Sequence, residues 1–554
     1  MERVLTGVDA AGRVPPQSRL NFQRPLALAV AQFTFLTTMK LKRPSLVSKG
    51  TLTRMLQEAE QAWREKDFQK NIELLERASR LDPANAAILL QLGRMHGLQY
   101  NYAAAERCFE RVVNFAARKT EALALVGAHS RDFRNSEMGE RYLRRAAEQN
   151  DVSSEILAEL AEVYERLRRN EEAAQLIDRA LQLNPACALA LLGRARLERQ
   201  AGRLDAAEQL LRFFPANAHR LIRVRALYEL GGILNRQGRY DEAMTAFLEA
   251  KAILKPEAAP FAATLETLHA RLKYVSENLS VEMLRRWFDF GQNLQPPKRL
   301  ALLGGHPRSG TTLLEQVLDS HPDIVSAEET EIFLDEAYIP LSRHSPPNTL
   351  MLPVLEAVTT AALKQARAAY FRSMELSLGK PVGERLLIDK NPSLTFMVPA
   401  LIRIFPEIKL LIALRDPRDV CLSCFMQPFF QVAQTNSAYM TLQGTVEEYI
   451  SIMGMWRAVA PLMKNPHLEV RYEDMVNDLE TVARRMLGFL EVPWDERVLG
   501  FDEHARQKVV RSPTYAEVTK PVFKTAVGRW RHYQKYLEPH LAKLEPFVKA
   551  FGYG

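Results

Sequence analysis

A single period runs through the first half of this 554-residue chain. Small residues recur every 34 positions, with one final step of 36, and aromatic and alanine positions keep the same phase. The small residues are Ala59, Gly93, Gly127, Ala161, Ala195 and Gly231. Such a period is typical of helical units that stack because one unit cannot bury its apolar face alone. The chain is also too long for one hydrophobic core, since cores stop growing near about 300 residues.

The periodic region resembles the tetratricopeptide repeat over about residues 52–257, as six units. Small residues would let two antiparallel helices approach closely, and Pro83 and Pro185 would close units because proline cannot continue a helix. The resemblance implies an α-solenoid with a concave face. We expect that face to bind a protein or peptide. A rigid spacer, or an arm that forms a homodimer, is the alternative.

The segments beside the repeats carry less information. We expect residues 1–51 to form a poorly ordered N-terminal segment, with Met39 as an alternative start. Residues 258–297 carry a helical stripe of leucine and valine that ends at Pro296 and Pro297, and we interpret them as a helical connector. Residues 298–554 are then expected to form the second domain.

Composition limits the possible partners and compartments. Lys and Arg exceed Asp and Glu by 74 to 66, a net charge of +8, which is too dilute to indicate a nucleic-acid partner. No apolar run approaches the roughly 18 residues typical of a membrane span. Four cysteines do not make a disulfide framework, so a reducing compartment and a cytoplasmic location are expected.

The second half opens with a strand, a glycine loop and a helix. An apolar strand beginning at Leu300 runs into residues 304–312, where Pro307-Arg-Ser-Gly-Thr-Thr312 precedes a helix. This order aims backbone N–H groups and a helix N-terminus at an anion. A nucleotide-hydrolysing P-loop has lysine where this chain has Thr311, and Arg308 supplies the positive charge instead. We predict a P-loop-like α/β domain with a mostly parallel sheet flanked by helices.

A second basic element follows about a hundred residues later. An apolar strand over residues 408–414 leads into Arg415-Asp-Pro-Arg418 and then a helix with Ser423. An arginine and a serine hydroxyl at such a turn suit a second, separate phosphate. The alternative is that both arginines only pair with the neighbouring aspartates on a solvated turn.

These two elements resemble the signature elements of sulfotransferases, and the similarity covers about residues 298–554. Within that family the sequence is most similar to protein-tyrosine sulfotransferases and to bacterial proteins that fuse tetratricopeptide repeats to such a domain. The resemblance implies 3′-phosphoadenosine 5′-phosphosulfate as co-substrate and no metal. It assigns nucleotide-binding roles to Arg308, Ser309, Gly310, Thr311, Thr312, Arg415, Ser423, Tyr472, Ser512 and Lys520.

The resemblance also implies a catalytic set. Glu329, in Ser326-Ala-Glu-Glu-Thr330, matches the catalytic glutamate of the tyrosine-sulfating branch and would act as base. Lys390 and Arg308 would stabilise the charge on the group being transferred. His306 and His321 are the alternative bases, although His321 before a proline is expected to be structural.

Two positions depart from the tyrosine-sulfating pattern. Glu331 stands where that branch has an arginine near the acceptor, and Gln427 stands where it has an arginine near the 3′-phosphate. The donor is therefore better specified than the acceptor. Cys421 and Cys424 spell C-x-x-C without a second pair, and we expect them to be buried apolar residues.

The leading hypothesis is a sulfotransferase that uses its repeats to recruit an acceptor or a partner, with a protein tyrosine as the favoured acceptor. A carbohydrate or small-molecule hydroxyl is the first alternative. A P-loop kinase-like enzyme and a repeat scaffold that binds nucleotide without turnover are the others.

Overall fold

The computed structural model describes residues 49–554, apart from 131–132, 134, 292, 295–297, 344, 347, 429–433 and 508–525. Most of the segment expected to be poorly ordered, and the predicted nucleotide-binding residues Ser512 and Lys520, lie outside the described residues. The described chain forms two compact units, one over residues 49–257 and one over residues 258–427 and 434–554.

The described part of the first unit consists of twelve helices that follow one another as six antiparallel pairs. In chain order they are α1 Lys49–Arg64, α2 Phe68–Leu81, α3 Ala86–Leu98, α4 Tyr102–Phe115, α5 Lys119–Ser130, α6 Ser136–Ala147, α7 Ser154–Arg166, α8 Asn170–Leu183, α9 Ala188–Gln200, α10 Leu204–Arg212, α11 Arg220–Arg236 and α12 Tyr240–Ala258. The predicted solenoid of helical repeats is confirmed.

The periodic small residues lie where the two helices of a pair touch. A Cβ atom placed on Gly93 of α3 would come within 2.5 Å of the Phe109 ring on α4, and one on Gly231 of α11 would come within 2.6 Å of the Phe247 ring on α12. Each ring lies 16 residues after its glycine. The period therefore reflects a steric requirement, since only a small residue leaves space for the second helix.

The second unit is built on a five-stranded sheet in which every pairing is parallel, in the order β2-β3-β1-β4-β5. The strands are β1 Leu300–Gly305, β2 Ile324–Glu328, β3 Leu386–Lys390, β4 Lys409–Leu414 and β5 His467–Arg471. β1, β2 and β3 are buried throughout, as expected of strands covered on both faces. The predicted parallel α/β domain is thus confirmed.

Helices cover and connect these strands. The α-helices are α13 Ala262–Asn278, α14 Val281–Gly291, α15 Thr311–Asp319, α16 Ile339–Ser342, α17 Met351–Ala357, α18 Thr360–Leu378, α19 Val398–Ile404, α20 Pro417–Met426, α21 Gln434–Ser437, α22 Leu442–Val459, α23 Tyr472–Asn477, α24 Leu479–Leu490, α25 Phe501–Gln507 and α26 Gln534–Ala550. Shorter 3₁₀ turns and a π-helical turn, Phe333–Tyr338, join them. No described helix is long and apolar enough to cross a membrane.

Helices α13 and α14 belong to the same compact unit as the sheet. On α13, the His269 Nε2 atom lies 2.6 Å from a carboxylate oxygen of Glu448 on α22. On α14, a Cβ atom at Gly291 would come within 2.4 Å of the Pro406 ring. Residues 262–291 therefore pack as part of this unit.

The parallel strands bring the predicted site residues to one edge of the sheet. The glycine loop follows β1, Glu329 follows β2, Lys390 ends β3 and Arg415 follows β4. Leu303 and Glu328 both lie level with Lys390, in the strands on either side of β3. Ligands of open parallel sheets bind outside these carboxyl ends.

Candidate active site

The glycine loop between β1 and α15 depends on two glycines with positive φ. Gly305 has φ +129°, and a Cβ atom there would come within 2.5 Å of the Ala413 carbonyl oxygen on β4. Gly310 has φ +99°, and a Cβ atom there would come within 2.6 Å of the Tyr472 ring. Thr395 fixes the start of the loop, since its Oγ1 accepts a hydrogen bond from the Gly305 N–H at 2.7 Å. The loop therefore tolerates no side chain at either glycine.

The loop and the first turn of α15 carry polar groups that fit an anion. Thr311 and Thr312 are the first helical residues, where backbone N–H groups have no acceptor within the helix. Ser309 is buried, and among the described residues its Oγ has no hydrogen-bond partner. A buried hydroxyl without a partner at a helix N-terminus suits a bound phosphate or sulfate.

The two predicted phosphate elements lie together. The Arg308 Nε donates a hydrogen bond to the Ser423 Oγ on α20 at 3.1 Å, and an Arg415 guanidinium nitrogen donates to the Arg308 carbonyl at 3.4 Å. Arg308 has a backbone φ of +71°, a conformation that is uncommon for a residue other than glycine and that belongs to the tight turn of the loop. Residues 115 positions apart in the sequence therefore form one cationic cluster.

Arg415 faces inward. Only 7% of the residue is exposed, its guanidinium lies 5.0 Å from the centre of the Tyr472 ring, and it donates to the Ala526 carbonyl. Its distance to Asp419 is 3.8 Å. Arg418 instead makes the aspartate pairing of the alternative, through two hydrogen bonds of 2.9 and 2.8 Å to Asp416, but its side chain is only 16% exposed and is not on a solvated turn.

Asp419 anchors the C-terminal segment over this cluster. Its two carboxylate oxygens accept hydrogen bonds from the N–H groups of Gly528 and Trp530, both at 2.7 Å. Burial raises the pKa of Asp419 from its ordinary value, although Arg415 and the two N–H groups oppose this. Because both neighbours of Arg529 are fixed in this way, the position of its backbone is fixed too.

Arg529 is a further cation of this cluster. Burial lowers the pKa of its guanidinium, and the charges of Arg415 and Arg308 lower it further. Within the described part of the chain, its buried Nε has no hydrogen-bond partner. Three arginines from three separate segments thus lie close enough for their charges to interact, an arrangement that favours a multiply charged anion.

Lys390 is fully buried among carboxylates. Its Nζ lies 2.8 Å from Glu329, 3.3 Å from Glu315 and 3.8 Å from Glu328. Burial opposes the charge on Lys390, but the three carboxylates outweigh it and hold the pKa above the ordinary lysine value. Lys390 is therefore a buried, charged residue and not an exposed lysine in the turn before Asn391.

Glu329 differs from the other two carboxylates in its access to solvent. Its side chain is 43% exposed, whereas those of Glu315 and Glu328 are buried. Its backbone has φ +44°, and its N–H donates to the Lys390 carbonyl at 2.7 Å. A strained residue that is held at the end of a strand and still reached by solvent is suited to meet a second substrate.

The two histidines considered as alternative bases have other surroundings. The ring nitrogens of His321 lie 2.9 Å from the Pro493 carbonyl and 3.0 Å from the Asp323 N–H, which is a structural arrangement. Burial lowers the pKa of His306 to about 4. His306 packs against the Tyr449 ring at 5.0 Å, so it is enclosed in the core.

The C-x-x-C pair and the two positions that depart from the tyrosine-sulfating pattern all lie in the second unit. Cys421 and Cys424 lie buried on α20 without forming a disulfide, and the Cys424 thiol donates to the Pro307 carbonyl at 3.3 Å. Gln427 is the residue that ends α20. Glu331 follows the β2 turn and is half-buried. Among the described residues no group of three or more side chains is placed to hold a metal ion.

Sequence reasoning missed Glu315 and Arg529. Glu315 lies in the apolar stretch of α15, where nothing in the residue pattern distinguishes it from a surface glutamate. Arg529 lies between Gly528 and Trp530, whose N–H groups donate to Asp419, and this placement depends on long-range contacts that no local residue pattern indicates. Complete burial identifies Glu315, and the anchoring of its two neighbours by Asp419 identifies Arg529.

Comparison with known proteins agrees with this geometry. Residues 301–496 match the model of the sulfotransferase family. Residues 85–119, 131–186, 159–218 and 216–263 match tetratricopeptide repeat models.

Individual relatives are distant. An uncharacterized protein of Aquifex aeolicus is 25% identical over 74% of this chain, and the chain spans about half of that protein's length, 52%. Protein-tyrosine sulfotransferase 1 of Danio rerio is 28% identical over 51% of this chain and 82% of its own length. The sulfotransferase domain of the Synechococcus PCC 7002 olefin synthase is 23% identical, with a TM-score of 0.30, over 43% of this chain and 88% of its own.

These matches support the prediction of a sulfotransferase enzyme. They cover both units of the fold and the two phosphate elements. Residues 301–496 thus match the sulfotransferase family, and they follow a region that matches tetratricopeptide repeats.

Proposed function

We propose that this chain transfers a sulfuryl group from 3′-phosphoadenosine 5′-phosphosulfate to an acceptor hydroxyl. The observation that carries the proposal is the buried Lys390, whose contact with the solvent-accessible Glu329 lies at the same sheet edge as the glycine loop. This edge offers a base, a fixed cation and an anion-binding helix N-terminus within one sheet.

The donor's 5′ end would be held by the glycine loop. The backbone N–H groups of Gly310, Thr311 and Thr312, together with the unpartnered Ser309 hydroxyl, suit its phosphosulfate. Tyr472 packs against Gly310 and supports the Arg415 guanidinium, so it would shape the nucleotide pocket. These residues fit the donor that the family resemblance implies.

The donor's 3′-phosphate would be held by the arginine cluster. Arg415 and Ser423 carry the predicted contacts, and Arg308 bridges the cluster to the loop. Arg529 would supply the cation that Gln427 does not. Ser512 and Lys520 keep their predicted role in closing over the nucleotide.

When bound, the donor supplies the sulfuryl group: the acceptor oxygen bonds to sulfur, the bond from sulfur to the 5′-phosphate oxygen breaks, and its electron pair leaves with adenosine 3′,5′-bisphosphate. Glu329 takes the proton from the acceptor hydroxyl. Lys390 and Arg308 stabilise the negative charge that moves onto the leaving phosphate. The cations belong to the chain, so the proposal requires no metal.

A protein tyrosine is the favoured acceptor. Several relatives carry the name protein-tyrosine sulfotransferase, and Glu329 matches the base of that branch. Glu331 in place of arginine would weaken the recognition of acidic peptides, so a carbohydrate or small-molecule hydroxyl is the alternative acceptor. The concave face of the repeats would recruit the acceptor or a partner protein, and a homodimer is a further possibility. A cytoplasmic location stays a prediction from cysteine content.

The first test is calorimetric titration with adenosine 3′,5′-bisphosphate, compared with ATP and magnesium. We expect the bisphosphate to bind without metal and to lose at least about tenfold in affinity in Arg415→Ala and Ser423→Ala. Preference for magnesium ATP would move the proposal to a kinase-like enzyme.

The acceptor is tested separately by transfer of labelled sulfate to tyrosine peptides with acidic, neutral and basic flanks. Transfer to a tyrosine hydroxyl supports the favoured acceptor. Labelling of carbohydrate or small phenols, but of no peptide, would retain the donor and replace the acceptor. Donor binding without transfer to any acceptor would favour a nucleotide-binding scaffold.

A further inference from the structure

Glu315 places a carboxylate from the phosphate-loop helix directly against Lys390. It lies one turn into α15 and is completely buried, and its Oε2 is 3.3 Å from the Lys390 Nζ. Its other oxygen, Oε1, accepts a hydrogen bond from the Ser326 hydroxyl on β2 at 2.7 Å. Both ends of this carboxylate are thus engaged, and solvent does not reach it.

A buried ammonium group needs carboxylates that stay charged and stay in place. Among the described residues, the carboxylates within 4 Å of the Lys390 Nζ come from two elements: Glu315 from α15, and Glu328 and Glu329 from the end of β2. Glu328 is the most distant of the three, at 3.8 Å. Glu329 is the nearest, but its side chain is the one that solvent and an acceptor can reach.

The proposed chemistry removes the charge of that nearest partner. When Glu329 takes the acceptor proton it becomes neutral, and its attraction for the Lys390 ammonium falls. This happens as negative charge develops on the leaving phosphate, when Lys390 has to be protonated and correctly placed. A second carboxylate that does not exchange protons with the acceptor is therefore required.

We propose that Glu315 is a positioning residue that keeps Lys390 protonated and fixed while Glu329 is neutralised. This inference rests on the proposed function. Because α15 also begins the phosphate loop, Glu315 ties the lysine to the same rigid helix that would bind the donor. Ser326 holds the carboxylate in the orientation that faces Lys390.

The test is the pH dependence of kcat in Glu315→Gln. Removing one carboxylate lets burial lower the Lys390 pKa, so the high-pH limb of kcat should move downward into the range of about pH 8–10. We expect kcat near neutrality to fall about tenfold or more, with bisphosphate affinity changed less than about threefold. An unchanged kcat together with an unchanged limb would overturn the proposal.

Asp319→Asn is the matched control. Asp319 lies one turn farther along α15 and accepts the Ser326 N–H at 2.8 Å, so it also links this helix to β2. Among the described residues, the carboxylates within 4 Å of the Lys390 ammonium are those of Glu315, Glu328 and Glu329, so Asp319 is not one of its partners. Asp319→Asn should lower the melting temperature without shifting the high-pH limb of the kcat profile. If Asp319→Asn shifts that limb as much as Glu315→Gln does, the role of Glu315 is only structural.

A second readout does not need turnover. The difference in melting temperature between wild type and Glu315→Gln should narrow as the pH rises from about 7 to 10, because the variant loses its Lys390 proton at lower pH and with it the cost of a buried charge that has too few carboxylates. A difference in melting temperature that stays constant over this pH range would overturn the coupling between Glu315 and Lys390. The absence of sulfate transfer by the wild type would contradict the proposed function, but it would leave this measurement valid. If Glu315→Gln does not fold, Ser326→Ala should lower kcat severalfold at unchanged donor affinity, and an unchanged kcat there would overturn the proposal.

Discussion

Glu329 and Lys390 touch at 2.8 Å, yet their substitutions should have different kinetic effects. Glu329→Gln keeps the size of the side chain but cannot accept the acceptor proton, so kcat should fall by about 10²-fold or more with donor-analogue affinity retained. Lys390→Ala should also lower kcat more than donor affinity. Rapid-quench turnover and calorimetry on the same preparations measure both quantities. A near-normal rate in Glu329→Gln would remove it as the base, and loss of binding alone in Lys390→Ala would contradict its role.

Gly310→Ala should weaken the binding of adenosine 3′,5′-bisphosphate by about tenfold or more, because φ is +99° and the new methyl group meets the Tyr472 ring. Gly379→Ala is the control, since Gly379 also has a positive φ, +66°, but has no atom within 4 Å of the added Cβ. The control should cost stability without affecting binding. Equal binding by wild type and Gly310→Ala would show that the loop does not require this close contact.

His306 should make the unfolding free energy sensitive to acid. Burial lowers its pKa to about 4, so the unfolded chain, with an ordinary histidine pKa, binds a proton more readily. Its contribution to stability is complete above about pH 6.5 and is lost as the pH falls toward 4, at up to about 1.4 kcal/mol per pH unit. Urea unfolding at several pH values should show a shallower acid slope in His306→Gln. Identical slopes would contradict the buried neutral imidazole.

At the residue scale, the sequence indicated which side chains carry the proposed chemistry but not which of them touch in the fold. Glu329 and Lys390 were assigned through a resemblance, and both lie at the predicted sheet edge. Their contact depends on the register between β2 and β3, which residue patterns do not encode. Glu315 was missed for the same reason, since its role comes from a strand 75 residues away in the chain.

At the scale of elements, alanine substitutions at two adjacent glycines of α11 should change stability in opposite directions. A Cβ atom on Gly231 would come within 2.6 Å of the Phe247 ring, whereas one on Gly232 would meet nothing within 4 Å. Gly231→Ala should therefore destabilise the repeat unit by about 1–3 kcal/mol through overpacking. Gly232→Ala should stabilise it by up to about 1 kcal/mol, because alanine favours the helix. Thermal unfolding of the two variants compares them directly, and equal shifts would refute the steric origin of the 34-residue period.

The elements themselves were predictable where a local pattern exists. The repeat period indicated paired helices, and strand-loop-helix order indicated the phosphate loop. The strand order β2-β3-β1-β4-β5 could not be derived in this way. It depends on where each crossover connection places the next strand, which the residue pattern within the strands does not indicate. The π-helical turn Phe333–Tyr338, close after Glu329, also left no mark in the residue pattern.

At the scale of the whole molecule, the helices after the repeats decide where the second unit begins. The sequence suggested a connector over residues 258–297, whereas α13 and α14 pack within the sheet unit. The His269–Glu448 contact of 2.6 Å would be lost in a fragment that starts at residue 298. That fragment would also expose apolar residues now buried against these helices and leave the buried Glu448 without this partner.

We therefore expect two truncations to behave differently. A fragment of residues 258–554 should bind adenosine 3′,5′-bisphosphate with the affinity of the full chain, because every residue proposed to contact the donor lies within it. A fragment of residues 298–554 should melt at a lower temperature, since a buried carboxylate that loses its partner costs about 1–3 kcal/mol or more. Circular dichroism melting and calorimetry on both fragments test this. Equal stability would restore the connector interpretation, and failure of the longer fragment to bind would show that donor binding also needs the repeats.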